Sequence, residues 1–396
     1  MAPPLLPLAD AQARLIDMAM PVAAEALPIA GCAGRWAAEP VAALRTQPSS
    51  DLSVMDGYAI ANAALPGPWT VIGESAAGRP HAGPVGPGQA VRIFTGAVMP
   101  AGADCVLVQE EAARDGDRLI LTGAGPAAPG SNVRHRGLDF SSGATLIRAG
   151  ERMTPARLAM AAMAGHGALS VRRPVRVAVA ATGDELRPPG TPMGDAQIPE
   201  TNRLMLAAML ADLPVDIVDL GILPDNLETL TRAFARVDAD LLVTSGGASV
   251  GDHDLVQPAL AAAGWSIDFW RVALRPGKPV MAGRRGDALV LGLPGNPVSA
   301  FATAMLFVRP AIAALGGSVD PLPRLTPAIL ADPLPANGER TDFLRAAILP
   351  DGRVGAAAVQ DSSMLMTLAR ATCLIHRPAD APAAAVGDPV DILVIA

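Results

Sequence analysis

The sequence predicts a multidomain α/β protein built around a central, mostly parallel sheet. Between residues 174 and 318, apolar runs such as "VRVAVAAT", "VDIVDLGIL", "ADLLVTS" and "DALVLGLP" alternate with segments of helical periodicity. This alternation is typical of a parallel sheet that helices cover on both faces. The 396 residues allow two to four domains. Apolar residues make up 51% of the chain and aromatic residues only 3%, which favours a helix-rich protein with small core side chains.

The predicted helices of this central domain, residues 174–318, are "TNRLMLAAMLADL", "NLETLTRAFARV", "DLVQPALAAAG" and "PVSAFATAMLFVRPAIAAL". Thr201 or Asn202 is the expected cap of the first of them. Each helix returns the chain to begin the next parallel strand, as a βαβ connection requires.

The flanking segments predict three further parts. "LADAQARLIDMAM" and "TPARLAMAAMAGHG" are helical patterns, the second with Thr154 as N-cap and Pro155 at the first helical position. We therefore expect a discontinuous helical first domain formed by residues 1–48 and 141–173. Short β-type runs between Gly/Pro turns predict a β-rich insertion domain over 49–140. A Pro-rich stretch opens a C-terminal domain, 319–396, whose short strands predict a small β-barrel or a sandwich.

Charge and cysteine content exclude several classes of protein. The net charge of −7 argues against nucleic acid as the main partner but leaves a small anionic ligand possible. No uninterrupted apolar stretch reaches the ~20 residues of a membrane span, and no basic segment precedes the first leucines. We therefore expect a cytoplasmic protein without membrane contact. Cys32, Cys105 and Cys373 fit neither a disulfide framework nor a zinc site, so we expect reduced, buried thiols.

Unusual polar loops follow four predicted strands of the central domain. They are "ATGDEL", "GILPDN", "TSGGASVGDHD" and "GLPGNPVSAF". Glycine lets a ligand approach the backbone, and the free N–H groups at a helix start attract anions. Asn296 as N-cap and Pro297 after it would leave such amides pointing outward. The loop "PGNP" alone favours a capped turn over a binding site. The recurrence of such loops at several strand ends, where ligands bind in such sheets, favours a phosphate site.

Charged residues suggest how an anion and a metal would share this site. "WRVAL" reads as a strand on which Arg271 and Arg275 share a face, and Lys278 follows in the turn "RPGKP". Three cations there predict an oxyanion site, and a solvated edge is the alternative. The carboxylates of the loops could hold Mg²⁺, which bridges phosphates; they are Asp184, Glu185, Asp225, Asp252 and Asp254. For Asp252, an ordinary acid at a helix start is an equal alternative.

An ordered set of motifs then resembles the molybdopterin molybdenumtransferases, whose relatives form one domain of gephyrin. The motifs are "MDGYA", "RIFTGAVMPAGAD", "NVRHRGLD", "ATGDEL", "TSGGASVGDHD", "RPGKP" and "LPGNPVSAF". The resemblance implies an enzyme that inserts molybdate into adenylylated molybdopterin with Mg²⁺-dependent release of AMP. It also implies a homodimer whose sites are shared between subunits. Its protein partners would be the molybdopterin adenylyltransferase and the maturation proteins of molybdoenzymes. The alternatives are an adenylyltransferase-like enzyme and a non-catalytic scaffold.

The loops and the resemblance together give the candidate site residues. The expected substrate-binding residues are Thr244, Ser245, Gly246, Gly247, Ser249, Arg271, Arg275, Lys278, Pro294, Gly295, Asn296, Pro297, Arg340, Ser362 and Ser363. The expected catalytic residues are Asp56, Thr95, Asp184, Glu185, Asp225 and Asp254, with Glu185, Asp225 and Asp254 as metal ligands. By the resemblance, Asp56 and Thr95 would reach the partner's site. Two departures from the family pattern are arginine in place of lysine at 271 and 275, and Asn226 in place of a second aspartate.

Overall fold

A computed structural model describes residues 5–247 and 255–395. Within these ranges the helices are α1 Leu8–Met18, α2 Pro155–Met163, α3 Asn202–Leu210, α4 Leu227–Ala235, α5 Val256–Ala262, α6 Pro297–Thr303, α7 Arg309–Leu315 and α8 Leu365–Ala369. The strands of the first half are β1 Ala24–Pro28, β2 Val41–Ala42, β3 Leu52–Ser53, β4 Gly57–Ile60, β5 Trp69–Ser75, β6 Gln89–Ile93, β7 Cys105–Val108, β8 Ala112–Asp115, β9 Arg118–Leu121, β10 Val133–Arg134, β11 Thr145–Ile147, β12 Ala168–Arg172 and β13 Val175–Thr182. Those of the second half are β14 Leu186–Arg187, β15 Ile198–Pro199, β16 Val215–Leu223, β17 Leu241–Ser245, β18 Ser266–Phe269, β19 Leu274–Arg275, β20 Met281–Arg285, β21 Ala288–Leu293, β22 Thr326–Ile329, β23 Thr341–Ile348, β24 Val354–Ala356, β25 Cys373–Arg377 and β26 Pro389–Val394.

The central sheet has the strand order β16-β13-β17-β21-β20-β18. The first four strands run parallel, β20 runs antiparallel to β21, and β18 runs antiparallel to β20. The expected mixed α/β class is therefore confirmed. The antiparallel hairpin β20–β21 was not predicted, because "MAGRR" is too short and too polar at one end to read as a strand.

Two apolar layers cover this sheet. One layer contains α1, α3, α6 and α7, with Leu15 and Leu206 packed in the same cluster as Val243. The other contains α4 and α5, which place Phe234 and Leu260 against Leu242. The predicted assignment of α1 to a separate helical domain is wrong, because its apolar face is buried in the core of the central domain.

The segments on either side of the insertion pair with each other through strands. β1 pairs antiparallel with β12, and β2 with β11. The one helix among them is α2, at whose start the Thr154 hydroxyl accepts a hydrogen bond from the Arg157 N–H, as expected of an N-cap. The description of this first part as helical is therefore wrong, since strand pairing and not helix packing joins its two segments. The inserted residues form a six-stranded sheet ordered β7-β4-β6-β5-β9-β8.

The C-terminal strands form a ring. β22, β26, β25 and β23 pair in succession, and β24 pairs with the far end of β23. A bridge between Leu330, which follows β22, and Val354 on β24 closes the circuit. The Ala331 N–H donates to the Val354 carbonyl at 2.8 Å. This is the geometry expected of a small barrel, because closure removes free sheet edges.

One helical run in the described part of the chain is long and apolar enough to cross a membrane by length and composition. It extends over Pro297–Leu315, through α6, a π-helical turn and α7, and 78% of it is buried inside the fold. Its apolar residues pack against the central sheet in the cluster that contains α1. The helix is thus a core element of the central domain.

Candidate active site

The loops after the four parallel strands converge at one edge of the central sheet. The Gly183 N–H donates to the carbonyl of Leu223 at 3.3 Å, which joins the loops after β13 and β16. The Asp225 N–H donates to Asp184 Oδ1 at 3.2 Å across the same two loops. On the other side, the Gly246 N–H donates to Leu293 at the end of β21. These residues therefore lie along a single carboxyl edge, as the sequence predicts.

Two glycines bring the loops after β17 and β21 into near contact. Gly246 has φ +92, and a Cβ there would collide with the carbonyl oxygen of Thr182. A Cβ at Gly295 would lie 3.7 Å from the Gly246 Cα. Only glycine at 246 satisfies both the backbone angle and the close approach.

Buried polar side chains accumulate beneath these loops. Asn202 donates through Nδ2 to Ser245 Oγ at 2.7 Å and to the Gly295 carbonyl at 2.8 Å. The hydroxyls of Thr182 and Thr244 are buried and have no hydrogen-bond partner among the described residues, and Thr244 has no exposed surface. Sequence reasoning identified Asn202 only as a possible helix cap. Thr201 occupies the cap position without a capping bond, and Glu200 Oε1 accepts from the Arg203 N–H.

Three carboxylates gather at the β13 and β16 ends. Burial raises the pKa of the Asp225 carboxyl above its ordinary value, and the neighbouring Asp184 carboxylate raises it further, with a smaller effect of Glu185. Between residues 5 and 247 and from 255 onward, no three His, Cys, Asp or Glu side chains form a group with metal-binding geometry. Asp254, the third predicted ligand, and Asp252 lie outside the described residues. The Asn226 side chain caps α4, where its Oδ1 accepts a hydrogen bond from the Thr229 N–H at 2.9 Å.

Arg271 and Arg275 do not share a strand face, so that prediction is wrong. The N-terminal segment pairs with this stretch instead, since Leu6 accepts from the Ala273 N–H and donates to the Arg271 carbonyl. Of the predicted strand, only Leu274 and Arg275 form a strand, β19, which pairs with β23. The Arg271 guanidinium lies over the Trp270 ring, 5.7 Å from its centroid.

Arg275 forms an ion pair with Asp342 on β23. The Asp342 side chain is only 4% exposed. Burial raises the pKa of its carboxyl more than Arg275 and Arg340 lower it. The pair is therefore close, but much of its attraction offsets the cost of burying the carboxylate.

Lys278 is exposed on the turn that follows. It is the only lysine of the chain, whose other 30 basic residues are arginines. Gly277, with φ +112, sets the turn against Thr303 of α6, the helix that begins at the loop after β21. Sequence reasoning did not note this uniqueness, although counting residue types would have found it.

The C-terminal domain reaches the same loops. Asn296 Nδ2 donates to Ser362 Oγ at 3.0 Å, and the Val298 N–H donates to the Ser362 carbonyl at 3.2 Å. Asn296 stands at the N-cap position of α6 but makes no capping bond, so the predicted side-chain cap is wrong. Pro297 is the first helical residue as expected, and Pro294 is buried. Ser363 donates to Asp361 Oδ1 at 2.6 Å.

Asp56 and Thr95 form a pair of their own in the insertion. Asp56 Oδ1 accepts from both the N–H and the hydroxyl of Thr95, each at 2.8 Å. These bonds hold the pKa of the Asp56 carboxyl below its ordinary value. In the described part of the chain, no hydrogen bond or ion pair connects this pair to the strand-end loops. Ser249, like Asp254, lies outside the described residues.

Cavity size alone does not identify this site. A cavity of about 460 Å³ is lined by Arg14, Asp268 and Arg284 among others. Arg284 pairs with Leu289 at the start of β21, so this cavity lies toward the opposite edge of the sheet. It contains none of the predicted site residues. The polar loops converge instead at the strand ends, where open α/β sheets bind ligands.

Comparison with known proteins identifies the family of the chain. Residues 6–165 match the MoeA N-terminal region (domain I and II), 178–314 a probable molybdopterin binding domain, and 327–395 the MoeA C-terminal region (domain IV). The molybdopterin molybdenumtransferase of Haemophilus influenzae is 38% identical over 318 residues, covering 79% of this chain and 78% of that protein. The chain belongs to the molybdopterin molybdenumtransferase family. The members of this family are enzymes of molybdenum cofactor biosynthesis.

Other family members resemble the chain over nearly its whole length. The Bacillus subtilis molybdopterin molybdenumtransferase is 31% identical, covering 91% of this chain and 87% of its own. A crystal structure of a molybdopterin biosynthesis MoeA protein from Pyrococcus horikoshii superposes with a TM-score of 0.84 at 26% identity, covering 99% of this chain and 100% of that one. The fold of the chain is thus similar to that of this MoeA protein over nearly its whole length.

Proposed function

We propose that the protein inserts molybdate into adenylylated molybdopterin and releases AMP in a Mg²⁺-dependent step. The observation that carries this proposal is the convergence of four strand-end loops at one edge of the sheet, with Asn296 hydrogen-bonded there to Ser362 of the C-terminal domain. A substrate bound at this edge would be held by both domains. Family membership supports the reaction class, and the convergence of the loops supports this edge of the sheet as its location.

Molybdate and phosphate are oxyanions, and the site offers two kinds of partner for them. The Gly183, Gly246 and Val298 N–H groups bond within the protein, and we propose that the other backbone N–H groups of the glycine-rich loops and of the first turn of α6 face the anion. Arg275 and Lys278 supply positive charge, with Arg340 close enough to Asp342 to lower its pKa. We place molybdate near these cations and Ser363, and the phosphates of the pterin substrate at Ser245, Gly246, Gly247 and the loop of Pro294, Gly295 and Pro297.

The carboxylates fit a divalent cation. The raised pKa of Asp225 reflects burial and the negative charge of Asp184 and Glu185, and a bound cation would relieve both costs. Glu185 and Asp225 would hold Mg²⁺, with Asp254 as the proposed third ligand. The metal would neutralise charge on the phosphates of the substrate. Asp184 would keep Asp225 in place through the Asp225 N–H.

Asp56 and Thr95 need a different explanation, because no bond joins them to the loops of their own chain in the described residues. We propose a homodimer in which each insertion domain presents this pair to the site of the partner. We also propose a cytoplasmic location, and the molybdopterin adenylyltransferase and molybdoenzyme maturation proteins as partners. The four-part domain division remains a proposal, with α1 moved to the central domain.

The test is to incubate the purified protein with adenylylated molybdopterin, Mg²⁺ and molybdate and to follow AMP. We expect AMP release that requires both the metal and molybdate. An Asp238→Asn variant, altered at an exposed carboxylate paired with Arg176, should release AMP at the wild-type rate. A wild-type protein that releases no AMP would favour a scaffold, and formation of adenylylated molybdopterin from ATP would favour the adenylyltransferase.

A further inference from the structure

We propose that Asn202 is a positioning residue that turns Ser245 into an oriented hydrogen-bond donor for an oxyanion of the substrate. This inference rests on the proposed function for the identity of the substrate. Asn202 is the first residue of α3, and it is 43 residues from Ser245 and 93 from Gly295 in the chain. It therefore acts on two loops that only the fold brings together.

The orientation of the Asn202 amide is determined by its partners. The Gly295 carbonyl can only accept a hydrogen bond, so the group facing it at 2.8 Å must be the NH₂. The second hydrogen of the same NH₂ points to Ser245 Oγ at 2.7 Å. Both hydrogens of the amide are thus used, and the loops after β17 and β21 are held at a fixed spacing.

The consequence for Ser245 follows from the valence of a hydroxyl, which has one hydrogen and two lone pairs. Asn202 occupies a lone pair, so the hydroxyl hydrogen must point elsewhere. Ser245 is 2% exposed, and no acceptor for that hydrogen is present in the part of the chain that the structure describes. A donor held in advance at a strand end binds an anion without first giving up another partner.

An independent observation also points to a ligand. Asn202 is 8% exposed, and its Oδ1 is buried with no hydrogen-bond partner within residues 5–247 and 255–395. Buried polar atoms in folded proteins are rarely left unpaired, and an unpaired one commonly marks a functional group or a bound molecule. This atom and the hydroxyl of Ser245 lie on the same side of the sheet, where α3 and α6 pack. Asn202 is therefore more than a structural tie.

Gln12 provides a matched control. It is also 8% exposed, and its amide likewise donates to a backbone carbonyl, that of Leu306 at 2.9 Å. It lies in α1, outside the strand-end loops. The variants are Asn202→Ala, Asn202→Asp, Ser245→Ala, the Asn202→Ala/Ser245→Ala double variant and Gln12→Ala. Asn202→Asp keeps the shape of the side chain but removes its two donors.

The first measurement is the affinity of each full-length variant for inorganic phosphate by calorimetry, which does not depend on turnover. We expect Asn202→Ala, Asn202→Asp and Ser245→Ala to weaken phosphate binding roughly tenfold each, the loss expected for one hydrogen bond to a charged group. The double variant should bind no more weakly than the weaker single one, because both changes remove the same donor. Gln12→Ala should lower the melting temperature and leave phosphate affinity unchanged.

The second measurement is AMP release, with KM for adenylylated molybdopterin and kcat determined separately. Asn202→Ala should raise KM about tenfold with a smaller change in kcat. The inference would be overturned if the fold-losses of phosphate affinity in the two single variants multiplied in the double variant. It would also be overturned if Asn202→Ala bound phosphate as tightly as Gln12→Ala does. A wild-type protein that binds phosphate but releases no AMP would instead reject the proposed function, and the phosphate data would still decide the role of Asn202.

Discussion

The Asn296 side chain donates a hydrogen bond to the hydroxyl of Ser362 at 3.0 Å, across 66 residues of sequence. Asn296 belongs to the loop before α6 in the central domain, and Ser362 precedes α8 in the C-terminal domain. The bond is exposed, so the net stability it contributes is small. Its position suggests that it sets the relative placement of the two domains at the site.

Ser362→Ala should therefore affect substrate binding more than folding. Losing one exposed hydrogen bond costs about 0.5–1.5 kcal/mol, so we expect KM for adenylylated molybdopterin to rise about two- to tenfold with little change in melting temperature. Thr372→Ala is the control, because its hydroxyl accepts a hydrogen bond from the Ile348 N–H within the C-terminal domain and touches no proposed site residue. It should destabilise the protein and leave KM unchanged. The reverse pattern for the two variants would show that the Asn296–Ser362 bond is only structural.

The unique lysine allows a chemical test of the oxyanion site. Acetylation with an amine-selective reagent can modify only Lys278 and the chain's α-amino group, and peptide mass spectrometry distinguishes them. We expect millimolar molybdate to slow acetylation of Lys278 and not that of the α-amino group, because a bound anion occupies the ammonium. Equal rates of Lys278 acetylation with and without molybdate would remove the residue from the site.

Substitution of the same residue should act on molybdate use. Lys278→Ala should raise KM for molybdate by roughly ten- to hundredfold, which corresponds to about 1.5–3 kcal/mol for a bond to a charged group. Arg324→Ala removes a positive charge from an ion pair with Asp320, where the arginine side chain is 85% exposed, and should leave KM unchanged. A similar loss in both variants would indicate a general effect of net charge.

Asp225→Asn should have opposite effects on the stability of the protein and on its use of Mg²⁺. The folded protein raises the pKa of this carboxyl, so ionised Asp225 destabilises the fold, and this cost grows as the pH rises from the unfolded pKa through the folded one. Near neutral pH the amide should therefore raise the melting temperature of the metal-free protein, while AMP release loses sensitivity to Mg²⁺. Asp216→Asn, on the same strand β16 but at its amino end, should do neither. An unaltered Mg²⁺ titration in Asp225→Asn would remove this residue from the metal site.

Much of the fold could be predicted from the sequence because its signals are local. Thr154 and Pro155 define the start of α2. Strand β17 is buried along its whole length, and β13 is buried at every residue except the half-buried Arg176. The position of α1 could not be predicted, since its apolar stripe could pack against any apolar surface of the other domains. Its location depends on the partner face offered by α7, more than 290 residues away.

The candidate site shows the same division between local and distant effects. The strand-end loops could be recognised from glycines, acids and amides close together in sequence. The role of Asn202 could not, because it depends on Ser245 and Gly295 lying on either side of it in space. The prediction that Arg271 lies on a strand was wrong for a related reason. Pairing with Leu6, a contact between distant residues, displaced the strand that "WRVAL" alone suggests.

Asp240 predicts a pH dependence that is unrelated to catalysis. Burial alone would raise the pKa of this carboxyl, but Arg173 and the Arg176 N–H together hold it below its ordinary value. A lowered folded pKa contributes stability above the unfolded pKa of about 3.9, and that stability is lost as the pH falls through the folded value. Asp240→Asn should cost about 2 kcal/mol of unfolding free energy at pH 7. The difference from wild type should shrink below about pH 4.

Denaturant unfolding at a series of pH values measures this effect. Asp238→Asn is the control, since Asp238 pairs with Arg176 but is 88% exposed, and it should cost less than about 0.5 kcal/mol. A constant difference between Asp240→Asn and wild type from pH 7 to pH 3 would contradict the linkage.

A mixing experiment tests the shared site most directly. Asp56→Ala and Lys278→Ala homodimers should each be nearly inactive, because every site lacks one of the two residues. In a mixed dimer, one site combines the intact Lys278 of one chain with the intact Asp56 of the other, and its second site lacks both. Random reassortment after gentle dissociation gives about half mixed dimers, so AMP release should recover to about a quarter of the wild-type rate. Mixing Asp56→Ala with Thr95→Ala is the control, because both changes lie in the insertion domain and no mixed dimer gains an intact site. If the first mixture stays as inactive as the control, each chain completes its own site and the dimer proposal is wrong.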